Sequence, residues 1–353
     1  MLNLHRIYSV TDMSKPITIK DIARKFKCSP STVSRALNNH PAINEDTRRN
    51  LQEYAKKVGY QRNQVSLNLL NKKTASIGVI VPTINNYYES AIIEGIDAVL
   101  QPLGYSLNIC VTNEQYLLEQ GYLEKLLSNR VEGIFVSVSQ ETYDAGHYEH
   151  FENVYNRSIP LIFIDREYEG FAAGSVTIDD YHGAFAAVEH LIATGRKRIA
   201  HLRGPQGMSV ADQRYRGYME CLQQHGFDKD ETLIVYTDFK VESAIAPVYQ
   251  LLDLPSRPDA IFCVNDQTAI GAMKAVRDKG LRIPEDIAVA GFDDSPISGY
   301  ISPSLTSVAR PGRQLGIEAA RIFLQYQNAA EKEAVAEHII LPPQLIVRES
   351  TGR

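Results

Sequence analysis

The 353-residue sequence lacks the apolar segments that export or membrane insertion would require. No stretch approaches the roughly 18 consecutive apolar residues of a membrane helix. His5 and Arg6 interrupt the N-terminal run MLNLHRIYSV, so this run does not resemble a signal peptide. We therefore expect a cytoplasmic protein in which residues 1–14 form a disordered leader and Met13 is an alternative start.

Cysteines and enzyme motifs are equally scarce. The four cysteines lie far apart without a CxxC pair, which predicts free thiols and no metal site. The sequence contains no P-loop, GxGxxG, GxSxG or HExxH motif, and the segment Gly204–Gly207 (GPQG) is too loose for a phosphate-binding loop. These absences disfavour an enzyme, and we expect no cofactor.

The net charge of −5 hides a strong asymmetry along the chain. Residues 15–72 contain 12 Lys and Arg against 4 Asp and Glu, a net charge of +8, whereas the remainder contains 25 against 38, a net charge of −13. Because phosphate contacts dominate affinity for nucleic acids, a small basic module on an acidic body is typical of a nucleic-acid binder. A solvated basic face without a partner is the alternative that charge alone leaves open.

The basic module carries the end signals of three short helices. Thr18 is an N-cap candidate with Asp21 three residues on, Ser29 precedes Pro30 at the start of a second helix, and Asn44 opens a third. Only about three residues separate the first two helices. The second helix leaves a small polar outer face with one arginine, a pattern typical of a helix-turn-helix.

The residues of this module resemble a known family. The segment Thr18–Asn39 (TIKDIARKFKCSPSTVSRALNN) is similar to the DNA-binding head of the lactose-repressor/galactose-repressor family, and Gly59–Leu70 (GYQRNQVSLNLL) follows where that family has its hinge. The resemblance implies that Pro30, Ser31 and Arg35 read bases. The full set of DNA-binding residues that it implies is Thr18, Pro30, Ser31, Thr32, Ser34, Arg35, Asn38, Asn63 and Leu69.

Two residues depart from the family pattern. Lys27 stands where the family usually has Gly in the turn, and a left-handed backbone there would cost about 1 kcal/mol. Arg62 stands where the hinge usually has Pro. The resemblance implies that the hinge folds only when two copies meet on DNA, with Leu69 wedged into a minor-groove base step. The alternative is that Leu69 and its neighbours are linker residues that pack on the body.

From Ser76 onward, short apolar runs alternate with amphipathic stretches. Near-continuous apolar strands separated by helices predict parallel sheets that are covered on both faces. Eight such units are more than we expect in a single sheet, so we expect two α/β lobes. The strand-like runs are Ile77–Val81, Leu107–Val111, Gly133–Val138, Leu161–Ile164, Ile199–Leu202, Leu233–Tyr236, Ala260–Val264 and Ile287–Gly291.

The resemblance also implies the organisation of the whole chain. It implies a small all-α helix-turn-helix head (15–62) joined by a hinge helix and linker (63–75) to an α/β periplasmic-binding-protein-like body (76–353). The body would consist of two doubly wound parallel-sheet lobes. The first lobe would span about 76–178 and 310–338, and the second about 179–309 and 339–353, with Ile339–Val347 completing the second lobe.

Polar residues at strand ends are the candidates for an effector site, since ligands of open α/β sheets bind beyond the carboxyl ends of the strands. Asp165, Asn265 and Asp293 each follow a strand-like run, although each alone is equally typical of a helix cap or turn. Val264–Met273 and Gly291–Ser298 resemble the family's sensor-lobe signatures. The effector-binding set that the resemblance implies is Tyr87, Tyr88, Asp165, Arg214, Phe239, Asn265 and Asp293, although Phe239 and the two tyrosines are also plausible core residues.

These features together predict a transcription regulator, by default a repressor. Carboxylates and amides around one arginine suit a polyhydroxylated ligand, so a sugar is favoured and a nucleobase is second. The partners would be operator DNA, this effector and a second copy of the chain. The chain stops at Arg353 without an apolar heptad tail, which predicts a dimer rather than a tetramer. The alternative is a solute-binding receptor, which would share the body but need export and no DNA-binding head.

Overall fold

The computed structural model describes residues 17–60, 74–168, 170, 173–328 and 336–352. The chain divides into two compact units, Met1–Lys73 and Thr74–Arg353, which are described separately below as the head and the body. Within the described ranges, every helix is too short or too polar to span a bilayer. The leader, Arg62 and the proposed hinge residues Asn63 and Leu69 lie outside the described residues.

Residues 17–60 of the head form three helices, α1 (Ile19–Lys25), α2 (Pro30–Leu37) and α3 (Glu45–Lys57). The predicted caps are present. Thr18 N–H donates to Asp21 Oδ2 over 3.0 Å, while Asp21 N–H donates to Thr18 Oγ1 over 3.3 Å, so each residue satisfies a free backbone donor of the other. The turn before α2 places Lys27 at φ 50°, which is the left-handed conformation. The family's usual Gly at this position had implied such a backbone. The small apolar core comprises Ile22, Ala23, Val33, Ala36, Leu51 and Ala55.

The described residues of the body form two six-stranded sheets. The first sheet comprises β1 (Ser76–Val81), β2 (Ser106–Val111), β3 (Gly133–Val136), β4 (Leu161–Ile164), β5 (Gly174–Ile178) and β11 (His338–Leu341). Its order is β11-β5-β4-β3-β1-β2, and all its pairs are parallel. The central strands are buried on both faces, as their apolar sequences predicted.

The second sheet repeats this arrangement. It comprises β6 (Ile199–Arg203), β7 (Ile234–Tyr236), β8 (Ala260–Cys263), β9 (Ala288–Asp293), β10 (Thr306–Ala309) and β12 (Gln344–Ile346). Its order is β12-β10-β9-β8-β6-β7, and β12 is antiparallel to β10 while the other pairs are parallel. Each sheet with its helices forms one lobe of the body.

Helices cover both faces of each sheet. The first lobe has α4 (Tyr87–Leu100), α5 (Tyr116–Ser128), α6 (Gln140–Ala145), α7 (Glu149–Tyr155) and α12 (Gly312–Asn328). The second lobe has α8 (Asp180–Ala193), α9 (Ser209–Gln224), α10 (Val241–Leu252) and α11 (Asp266–Asp278). Two apolar clusters in each lobe, one on each face of its sheet, form the core.

Two facing glycines set the approach of α4 to α12. A Cβ at Gly95 would lie 2.2 Å from the carbonyl oxygen of Arg313, and one at Gly316 would lie 2.1 Å from that of Ile92. Real Cβ atoms do not approach a backbone oxygen so closely, so only glycine permits this contact. The pair brings α12, which follows a return from the second lobe, directly against the first helix of the first lobe.

The structure corrects the predicted end of the chain. Ile339–Val347 was predicted to complete the second lobe, but β11 pairs in parallel with β5 and so belongs to the first sheet. Only β12 joins the second sheet, through β10. The prediction was wrong because two short runs separated by a few residues look like one element in sequence, whereas their pairing depends on distant strands. The strand β5 and the helices α6 and α7 were not predicted either.

Candidate functional site

A cavity of about 680 Å³ lies between the two lobes, at the carboxyl ends of their strands. Asp165 follows β4 of the first sheet, while Asn265 follows β8 and Asp293 ends β9 of the second sheet. Because parallel strands end at the same edge, these side chains converge on one space. The lining residues are Pro82, Thr83, Asn85, Asn86, Glu89, Asn113, Glu114, Gln140, Asp165, Arg166, Pro205, Met208, Val210, Arg214, Asp238, Phe239, Lys240, Asn265, Gln267, Asp293 and Arg310.

Arg310 bridges the two lobes at the base of this cavity. Its Nη1 donates to Asp293 Oδ1 over 3.1 Å, and its Nη2 donates to Asp165 Oδ1 in a short contact. The guanidinium carbon lies 3.4 Å from the ring centroid of Tyr88. All three ionic side chains are at most 15% exposed. Arg310 therefore neutralises one carboxylate of each lobe at once.

Arg214, on α9, is held in a fixed orientation with one donor group left over. Its Nε donates to Asp180 Oδ1 and its Nη1 to the carbonyl of Val264, each over 2.7 Å. The guanidinium carbon lies 3.9 Å from the ring centroid of Phe292. Nη2 is buried without a hydrogen-bond partner among the described residues. Since Arg214 lines the cavity, a bound ligand is the natural acceptor for this donor.

Asn265 combines a structural role with a place in the cavity wall. Its Oδ1 accepts from Thr268 N–H over 2.9 Å, which makes it the N-cap of α11. Its Nδ2 donates to the carbonyl of Phe239 over 3.0 Å and so fixes the loop before α10. The amide retains one further N–H for a ligand. The interpretation of Asn265 as a helix cap is therefore correct, and it is compatible with ligand contact.

Asp266 positions the loop that follows Asp293. Its Oδ2 accepts from Ser295 N–H and from Ser298 Oγ–H, each over 2.7 Å, and its Oδ1 accepts from Ser307 Oγ–H. Burial, reinforced by the negative charge of Asp293, raises the pKa of Asp266 to about 7. These three serines tie β10 and the segment after β9 to the start of α11.

The head presents a separate candidate surface around the N-terminus of α2. Among the residues named above as DNA-binding, Thr18, Pro30, Ser31, Arg35 and Asn38 are exposed. Arg35 forms no side-chain hydrogen bond or ion pair with another described residue of the head, so its fork of donors is available.

Two hydroxyls on this surface are already engaged locally. Ser29 Oγ lies 2.7 Å from Ser31 Oγ and 2.9 Å from Thr32 Oγ1, and it caps α2 by accepting from Thr32 N–H. Thr32 and Ser34 are half-buried. This arrangement stiffens the first turn of α2, whose free N–H groups favour anions such as phosphate.

Comparison with known proteins identifies the family. A profile described as "Bacterial regulatory proteins, lacI family" matches residues 18–63, and one described as "Periplasmic binding protein-like domain" matches residues 188–351. Catabolite control protein A of Priestia megaterium is 32% identical over 95% of this chain and 99% of its own length. The chain belongs to the lacI family.

The solved structures of two transcription regulators agree with the fold. The lac repressor dimer bound to operator and the anti-inducer ONPF is 27% identical, with a TM-score of 0.84 over 96% of this chain and 100% of its own. The regulator CelR in complex with cellobiose is 26% identical, with a TM-score of 0.71 over 95% of this chain and 99% of its own. This lacI-family protein is thus a DNA-binding transcription regulator, as predicted, and the alternative of a receptor without DNA function has no support.

The structure brings together most of the predicted effector residues of this lacI-family protein. Asp165, Arg214, Phe239, Asn265 and Asp293 all line the cavity. The effector contacts themselves stay predictions. Phe239, at φ 67°, also packs against a small apolar cluster in the second lobe, so the core interpretation of this residue is partly correct.

Tyr87 and Tyr88 do not belong to the cavity wall. Tyr88 is 3% exposed and packs in the core of the first lobe, whereas Tyr87 is 56% exposed. Neither is among the lining residues, and the next residue, Glu89, is. The reason is helical geometry, because successive residues at the start of α4 point about 100° apart, so the direction that Glu89 takes toward the cavity is not shared by Tyr87 or Tyr88.

Six charged residues of the cavity wall were not predicted from the sequence, namely Glu89, Glu114, Arg166, Asp238, Lys240 and Arg310. Arg310 follows β10, so the strand-end rule that selected Asp293 would have found it had β10 been predicted. Arg166 directly follows Asp165 and forms a forked pair with Glu114, with Nη1 at 2.8 Å from Oε2 and Nη2 at 3.1 Å from Oε1. Glu89 carried no signal, because its position depends on the orientation of α4.

Proposed function

We propose that this lacI-family protein is a repressor whose affinity for operator DNA is controlled by a small polyhydroxylated effector, a sugar or sugar derivative. The observation that carries the proposal is the cavity between the lobes. Buried charged and amide side chains from both lobes line this cavity. A DNA-binding head joined to a ligand-binding body supports a function in which ligand binding changes the affinity for DNA. The protein would act in the cytoplasm, without enzymatic activity.

The polar wall supports a sugar-like effector. Buried polar atoms without partners are costly, and several occur at the cavity, including Arg214 Nη2, Arg166 Nε and Gln140 Oε1. A ligand with many hydroxyl groups can donate to and accept from such atoms. The volume of about 680 Å³ lies in the usual range for small-molecule sites and accommodates a mono- or disaccharide. CelR, a structural relative, has cellobiose bound.

The bridge formed by Arg310 supports a mechanism for the switch. Asp165 belongs to the first lobe and Asp293 to the second, and both accept hydrogen bonds from the guanidinium group of Arg310. A ligand that bonds to either carboxylate changes how strongly the lobes are held together. Any such coupling between ligand and DNA must be reciprocal, so DNA binding would change ligand affinity by the same factor.

The proposed operator complex contains two copies of the chain, one head to each half-site. Arg35 is the proposed base reader in the major groove, and Leu69 the proposed minor-groove wedge. The body has an apolar edge for pairing. Edge strand β2 exposes Ile109, which is 48% exposed, and the segments on either side of β2 expose Leu103 and Leu117, which are 58% and 73% exposed. We propose that these exposed apolar side chains belong to the surface through which two copies associate.

The proposal is tested by in vitro selection of DNA on the purified full-length protein, repeated with and without a panel of mono- and oligosaccharides. We expect a pseudo-palindromic consensus whose enrichment changes with one class of sugar. Light scattering on the same sample is expected to give the mass of a dimer. Absence of any enriched duplex would refute the DNA function, whereas enrichment that no sugar alters would refute the effector class.

A further inference from the structure

Left-handed backbone conformations are concentrated at the effector cavity. Three residues of its wall, Asp165, Phe239 and Asp293, have φ angles of 66°, 67° and 109°, in a region that residues other than Gly rarely adopt. Asp294, the residue after Asp293, also has a positive φ, of 49°. Such conformations persist only where surrounding contacts hold them in place. The two consecutive left-handed residues at the end of β9 therefore need support from a neighbouring element.

The neighbouring strand β10 supplies this support through Ser307. Asp294 N–H donates to Ser307 Oγ over 3.0 Å, and Ser307 is fully buried. The hydroxyl of Ser307 in turn donates to Asp266 Oδ1 at the start of α11. The carbonyl oxygen of a protonated carboxyl group also accepts hydrogen bonds, so this connection does not require Asp266 to be ionised. Asp294 is held through its side chain as well, because its Oδ1 accepts from Arg348 Nη1 over 2.6 Å.

The support of this turn determines the direction of the Asp293 side chain. Asp293 is paired with Ala309 of β10, which fixes the backbone before it, and Ser307 fixes the peptide group after it. With both sides held, φ of Asp293 cannot relax to a negative value, and its Cβ keeps one direction. In that direction Asp293 lines the cavity, and its Oδ1 accepts from Arg310 Nη1 over 3.1 Å.

We propose that Ser307 is a positioning residue of the effector site, whose hydroxyl holds the turn at Asp294 and thereby directs the carboxyl group of Asp293 to Arg310 and to the ligand. The ligand part of this inference rests on the proposed effector function, whereas the contact between Asp293 and Arg310 exists without a ligand. Ser307 is not among the lining residues of the cavity. Any effect of Ser307 on ligand affinity must therefore act through another residue.

Ser298 provides a matched control for Ser307. It is also fully buried, and it donates its hydroxyl proton to the same carboxyl group, at Asp266 Oδ2 over 2.7 Å. In the described part of the chain, Asp294 N–H is bonded to Ser307 and not to Ser298. Ser298→Ala and Ser307→Ala therefore remove the same group and the same kind of bond to Asp266, but only the second removes the support of the turn.

The first measurement needs no ligand and uses thermal melting of the full-length protein. Asp293→Asn and Arg310→Met should be non-additive by about 5 °C in melting temperature, since each removes the same contact. Ser307→Ala, introduced into the wild type and all three variants, should reduce this non-additivity below about 2 °C, whereas Ser298→Ala should leave it above about 4 °C. The proposal is overturned if Ser307→Ala leaves the non-additivity unchanged, or if Ser298→Ala reduces it equally.

The second measurement uses cellobiose, glucose, galactose and ribose as probes in calorimetry. For a sugar that binds, Ser307→Ala should weaken binding about tenfold, but less than about threefold when Asp293 is already Asn, because its effect acts through that carboxyl group. Ser298→Ala should weaken binding less than about threefold. Equal loss from Ser307→Ala in both backgrounds would refute the positioning role. Failure of all four sugars to bind the wild type would count against the proposed function, and the melting experiment would still decide the role of Ser307.

Discussion

Replacing Arg310 by Met tests the bridge between the lobes most directly. The change removes the guanidinium group that contacts both Asp165 and Asp293 and retains most of the apolar stem. Side-chain exposure is 6% for Arg310, 5% for Asp165 and 15% for Asp293, so little solvent screening reduces the effect. Removing one partner from a buried ion pair costs about 3–5 kcal/mol. For a body of this size, that loss lowers the melting temperature by roughly 10 °C.

The assay is thermal melting of the ligand-free protein at neutral pH, followed by circular dichroism. Asp165→Asn combined with Arg310→Met should recover part of the loss, because one of the two carboxylates that lose Arg310 is then uncharged. Arg310→Lys, which keeps a charge but not the planar fork, should fall between the wild type and Arg310→Met. A melting temperature for Arg310→Met within about 2 °C of the wild type would show that the bridge contributes little to stability.

Three further predictions concern the head, the hinge and the buried acid. Arg35→Ala should relax preference at one base position at a cost of about 1–3 kcal/mol, and an unchanged selection profile would exclude Arg35 as a base reader. Leu69→Ala should weaken operator binding by a few kcal/mol and spare random DNA, so an equal loss on both would exclude the wedge. Glu89 has its pKa raised from the ordinary 4.5 to about 8, so its contribution to folding stability is fully present below pH 4.5 and is lost as the pH rises through 8. Denaturation of Glu89→Gln across this range should show a loss smaller by on the order of 4 kcal/mol than in the wild type, and parallel curves would contradict it.

The sequence by itself determined the head and the general position of the effector site. Helix caps depend on residues three or four positions apart, so the pair Thr18 and Asp21 and the cap Ser29 could be recognised without tertiary information. The alternation of apolar strands and helices predicted the parallel sheets. The strand-end rule then selected Asp165 and Asp293, because the edge at which a parallel strand ends follows from chain direction alone.

Only the tertiary structure decided which charged side chains form ion pairs and that the carboxyl group of Glu89 lies in the cavity wall. Arg310 is 145 residues from Asp165 in sequence, and nothing local indicates that they pair across two lobes. The rotation of α4 buries Tyr88, exposes Tyr87 and turns Glu89 to the cavity, and this rotation is set by packing against α12. Likewise, β11 joins the first sheet because β5 offers it an open edge. Pairing and burial depend on contacts between distant segments, whereas caps and strand polarity depend on neighbours in the chain.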